Sequence, residues 1–184
     1  MRLRSHFEIR IVLIVAVLFV SGSVSVAQNR SFYSPLDSQQ CHTIKTETTG
    51  AGDYEGLCPG FDGYSLTLLE GDLRQNIIVG APDGTKHSLD LWDVISGGFS
   101  HVGARAEWRI ARQNGQQTPI ALIIRYNVSE DADHPDKKTS YLAVAKITPS
   151  EICVTDKIPP APDANQTARI AADNAATKPC LKKP

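Results

Sequence analysis

The sequence predicts an α+β domain: a mainly antiparallel β-sheet of five to seven strands with a C-terminal helix tethered to it by a disulfide. The first observation behind this is alternation. Ala104, Ala106, Trp108 and Ile110 share one face of a run whose other face carries Arg105, Glu107 and Arg109, the period of a half-buried strand. The second is the spacing of turn signals. Pro82-Asp83-Gly84 and Asn114-Gly115 separate β-rich runs by a few residues, and a strand that returns through so short a turn runs antiparallel. The third is a change of character near the end, where Pro159-Pro160-Ala161-Pro162 leads into an Ala-rich stretch with a cysteine on either side.

In chain order, residues 1–27 read as a secretory signal peptide. Arg2, Arg4 and Arg10 form a basic start, residues 11–20 are an unbroken apolar run of ten, and Ser25 and Ala27 stand at −3 and −1 of a cut before Gln28. A membrane span needs about 20 apolar residues, twice what this run offers. Residues 28–184 then form a single secreted domain of 157 residues, long enough to bury one core. Residues 28–40 read as a loosely ordered lead-in, and residues 41–58, with Gly50, Gly52 and Gly56, as a surface loop. The sheet body spans about 64–148. Its strands are expected at 64–69, 76–79, 87–92, 104–110, 120–127 and 141–147, the fifth apolar on both faces and hence central. A short helical stretch is expected from Asp93 to Ile95, ended by Gly97-Gly98. Pro149-Ser150-Glu151 opens a helical turn around Cys153, and about 162–177 form the C-terminal helix, with Asp163 ahead of it.

All four cysteines, Cys41, Cys58, Cys153 and Cys180, lie beyond the signal. In an oxidising compartment an even count reads as two disulfides. Three pairings are open. Cys41–Cys58 with Cys153–Cys180 is favoured because each bond closes a local loop. Loops of 18 and 28 residues constrain the unfolded chain by about 3 to 3.6 kcal/mol each. No two cysteines have zinc-knuckle spacing, and there is no phosphate loop or dinucleotide fingerprint, so neither metal nor cofactor is expected. Removal of the signal leaves 16 basic against 19 acidic residues, a balance with no general attraction for nucleic acid. No second long apolar run follows, so no membrane span is expected in the mature protein.

The histidines of the mature part, His42, His87, His101 and His134, are scattered, and no Gly-x-Ser-x-Gly elbow accompanies them. With the thiols committed to disulfides, no catalytic residue is assigned. Glu130, Asp131, Asp133, His134 and Asp136 form an acidic loop closed by Lys137-Lys138. It lacks the spacing and the glycine of a calcium loop and reads as a solvated hairpin. The surface singled out for binding is the charged face of Arg105, Glu107 and Arg109, with Arg125 on the next strand. Either it is a wet sheet face laced with cross-strand ion pairs, or it is a platform for a polar ligand or a protein partner. Trp108 reads as core.

Four segments resemble stretches of small exported bacterial proteins to which no activity is attached. They are Glu70-Gly71-Asp72-Leu73-Arg74-Gln75, Ala106-Glu107-Trp108-Arg109, Pro119-Ile120-Ala121-Leu122-Ile123 and Glu151-Ile152-Cys153-Val154-Thr155-Asp156-Lys157-Ile158. The resemblance covers most of residues 33–181 and implies export and a bacterial source, with no functional residue to carry across. Together these features read as an exported, non-enzymatic binding protein, periplasmic or secreted. The second class is a secreted inhibitor or protein-interaction module, and the third a hydrolase with an unrecognised site.

Overall fold

The computed structural model describes residues 29–50, 52–113, 115–131 and 133–183; the signal peptide read at 1–27 lies outside the described residues. The strands are β1 Arg30–Pro35, β2 His42–Glu47, β3 Asp53–Cys58, β4 Ser65–Gly71, β5 Arg74–Gly80, β6 Lys86–Ser88, β7 Phe99–Gln113, β8 Gln116–Ser129, β9 Thr139–Ile147 and β10 Ile152–Ile158. A one-turn helix, α1 (Leu91–Val94), precedes β7, and α2 (Ala164–Asp173) closes the chain.

The sheet runs β10-β9-β8-β7-β5-β4-β3-β2, with β1 added on β7 and β6 on β5. It therefore has ten strands rather than five to seven, and it is mixed: β5 meets β7 in parallel at Arg74 and Ser100, while the other pairings are antiparallel. The extra strands come from segments that read as irregular. The supposed lead-in contains β1, which pairs with residues 105–110 of β7. The supposed loop between Cys41 and Cys58 is the β2–β3 hairpin, with the disulfide across its open end. Cys153 lies in β10, not in a helical turn. Thr148 turns the chain there, its Oγ1 donating to the Glu151 carbonyl at 2.8 Å and accepting from the Glu151 amide at 3.0 Å. The strand expected at 87–92 stops at Ser88, and Leu89 and Leu91 are both buried, the second on α1.

β7 and β8 are the long central strands, joined where Gly115 takes the left-handed φ of 83° that a tight hairpin requires. Between Val102 and Ala106 the register slips, so that residues 103–105 stand opposite Arg125 alone. Such a bulge bends a strand and sharpens its twist. Below the bend β7 touches β5; above it β7 carries β1. The two halves of the sheet face each other across one core, with Leu66, Leu68, Ile77 and Val79 on one side and Trp108, Leu122, Ile124 and Tyr126 on the other. Ala104, expected inward with Ala106 and Trp108, is pushed out to solvent by the bulge.

The back of β8 and β9 is covered by α2. Ala168 and Ala172 of α2, with Ala175 in the turn just beyond it, lie on Ala121, Ile123, Leu142 and Val144, forming a second apolar cluster. Small residues four apart let the helix backbone lie close to the sheet. The chain then passes Lys178, whose carbonyl accepts from the Lys146 ammonium at 2.9 Å, and reaches the Cys153–Cys180 disulfide. Both disulfides pair as the loop lengths favoured.

Candidate functional site

Two concavities flank the β7 bulge, and residues 103 and 104 line both. The first is a cleft of about 500 Å³ where the two halves of the sheet splay apart. Leu36, Leu68 and Val102 contribute apolar surface to it; each is at most 7% exposed. Four carboxylates stand around it. Asp37 accepts from the Gln39 amide at 3.0 Å, and Glu70 accepts from Gln75 Nε2 at 2.7 Å. Glu47 lies 3.0 Å and Asp53 3.9 Å from the Lys45 ammonium. His101 also lines the cleft; among the described residues its ring makes no hydrogen bond.

The second is a pocket of about 300 Å³ on the other side, between the outer face of β7–β8 and the first turns of α2. Arg105, Glu107 and Arg125 of the charged face read from the sequence line it, while Arg109 lies beside it in the neighbouring hollow with Ser31 and Asp173, and the face is not an open platform. Arg109 is 5% exposed. Its Nε and Nη2 each donate to the Asp173 carboxylate at 2.8 Å, its Nη1 donates to Ser31 Oγ at 2.6 Å, and its Nη2 also reaches the Asn29 carbonyl at 3.2 Å. Glu107 accepts from Arg169 at 2.6 and 3.2 Å and from Ser31 Oγ at 2.6 Å. Burial pushes the Glu107 carboxyl up, but the hydrogen bonds from Arg169 and Ser31 and the Arg169 charge outweigh it and hold the group below the usual glutamate range. The same contacts raise the Arg169 guanidinium. These two residues of β7 fasten α2 to the sheet, a role that strand alternation alone does not reveal. Arg105 stays exposed, its guanidinium 5.4 Å from the centroid of the Tyr33 ring. Arg125, half-buried, donates to Ser140 Oγ at 2.9 Å and to Asn165 Oδ1 at 3.2 Å.

The remaining sequence candidates lie apart from both sites. Trp108 is fully buried, and its Nε1 donates to Ser34 Oγ at 2.9 Å. His134 lies 2.9 Å from Asp131 on the exposed acidic loop, and His87 contacts Thr85 at 3.2 Å. The cleft carboxylates were not legible as a group, because Asp37, Glu47, Asp53 and Glu70 sit on different segments, and the β2–β3–β4 pairing that sets Glu47 opposite Asp53 and Glu70 opposite Tyr54 rests on β2 and β3, which read as loop. No protein-family model matches the chain, no curated protein matches it in sequence, and no solved structure matches it in fold.

Proposed function

We propose that this chain is an exported, non-enzymatic binding protein of the bacterial envelope or the secreted fraction, and that it holds a small polar ligand bearing a basic group in the cleft between the two halves of the sheet. The observation that carries this reading is the cleft itself, about 500 Å³ with an apolar floor and carboxylates at its rim. That volume is in the usual range for small-molecule sites, which pair apolar walls with a few placed polar groups. Two disulfides support a working place outside the reducing cytosol. Among the described residues no helix is long and apolar enough to cross a membrane.

Spermidine and uncharged glucose are suitable probes, read by thermal melting and calorimetric titration. Spermidine should raise the Tm and glucose should not, and the Glu47→Gln/Glu70→Gln double variant should lose the response. An unchanged Tm with spermidine, or an equal response in the double variant, would overturn the reading.

A protein-interaction module is the second reading, favoured by one hollow. Leu73, at the tip of the β4–β5 hairpin, is 48% exposed with a φ of 58°, and it lines a groove with Phe99, which is 46% exposed. Leucine is a costly residue in the left-handed region, and an exposed apolar pair there suits contact with another protein.

A further inference from the structure

We propose that the pocket between β7, β8 and the start of α2 is an oxyanion site, in which Arg105 and Arg125 hold a carboxylate, phosphate or sulfate group. It is separate from the cleft and does not depend on it.

The argument starts from the balance of charge. Along the sheet–helix seam the charges cancel, since Arg109 is paired with Asp173 and Arg169 with Glu107. Arg74, Lys146 and Lys178 also each hold a carboxylate. Among the described residues neither Arg105 nor Arg125 lies within ion-pair distance of an acid, as is also true of Arg112 and Lys157, but only these two line one pocket together, beside the already paired Glu107 and Arg169. Like charges at one concavity repel, and an anion between them relieves that repulsion. Guanidinium groups match the planar fork of a carboxylate or the oxygens of a phosphate, and each can give two parallel hydrogen bonds.

Arg125 is also pre-positioned. Its aliphatic stem lies across Gly103, where an added Cβ would sit 2.9 Å from Arg125 Cβ and 3.4 Å from its Cγ. The glycine in the bulge is what lets the stem cross β7. Ser140 and Asn165 then take part of the guanidinium's donor set and aim the rest, without neutralising it. Arg105 lies against the Tyr33 ring, which restricts its sweep while leaving its donors unspent. Holding the two side chains in place beforehand lowers the ordering cost of binding.

The test is a 15N chemical-shift titration with sodium phosphate, sodium sulfate and sodium acetate at ionic strength held constant with sodium chloride. Phosphate or sulfate should give saturable shifts confined to the amides around residues 103–105, 125 and 165. Arg105→Gln and Arg125→Gln should each weaken binding at least fivefold, and Gly103→Ala should weaken it by displacing the Arg125 stem. Arg112→Gln, an exposed β7 arginine outside the pocket, should leave it unchanged. Arg105 has no fold contact to lose beyond its ring, so its variant stays informative if Arg125→Gln is destabilised. Co-sedimentation with phosphatidylglycerol vesicles, against phosphatidylcholine, identifies the source of the anion. Arginine-dependent sedimentation places it on a lipid headgroup; phosphate binding without sedimentation places it on a soluble ligand. Absence of saturable shifts with all three salts, or equal loss in Arg112→Gln, would overturn the proposal.

Discussion

Arg109 gives four hydrogen bonds while 5% exposed, and the acid it serves, Asp173, belongs to the last turn of α2. Removing one member of a buried pair leaves the other charge without its partner, which costs more than the pair contributes. Asp173 keeps partial access to water, its side chain 29% exposed, so the cost falls below the roughly 3–5 kcal/mol of a fully buried pair. Arg109→Ala should therefore destabilise the fold by about 2–3 kcal/mol. Arg105→Ala, two residues earlier on the same strand, should cost under about 1 kcal/mol, because its side chain is exposed. Urea melts of the two variants read the difference, and equal small losses would show that the seam does not hold the helix.

At the scale of elements, the parts that local patterns announce are those with two unlike faces or a strong turn. The β7–β8 hairpin follows from alternation on each side of Asn114-Gly115, and α2 follows from its alanines behind a proline-rich connector. Edge strands announce little. Every residue of β2 is exposed, so no apolar face marks it, and only backbone pairing with β3 makes it a strand. β1 has one buried side chain, Ser34. In β10 the register shifts between Val154 and Asp156, which breaks the alternation that would have revealed it. The charged face was legible in its membership, but its covering by α2 was not, since docking is a tertiary event. That docking rests on three alanines, two ion pairs and the Cys153–Cys180 bond. The disulfide constrains the tail beyond α2 more than the sheet beneath it. Replacing both Cys153 and Cys180 by serine should thus speed amide exchange across residues 164–181 first, leaving β7, β8 and β9 protected. A uniform rise across the sheet would mean that the helix and sheet open as one unit.

Over the whole molecule, the β7 bulge sets two concavities of opposite charge back to back. Acids dominate the cleft and arginines the pocket, with residues 103 and 104 as the shared wall. The charges on the helix side are also part of the fold, so the molecule's stability depends on pH through them. Glu107 is the group to follow, because its carboxyl is held below its ordinary value in the folded chain. A depressed carboxyl stabilises the fold above its unfolded value, near 4.3 for glutamate, and that contribution is lost as the pH falls through the folded value. Stability should be flat in this respect from neutral pH to about 5 and then decline on acidification. Asp83, in the exposed turn before β6, is lowered as well by hydrogen bonds from Thr85, so a variant lacking Glu107 keeps some acid sensitivity. Glu107→Gln should lower stability at neutral pH, where the Arg169 ion pair is lost, and should flatten the decline that sets in as the pH falls below the ordinary glutamate value. Urea midpoints measured in half-unit steps across that decline give both slopes. Parallel curves for parent and variant would show that Glu107 ionises alike in the folded and unfolded chains, and that the Arg169 contact does not hold its proton off.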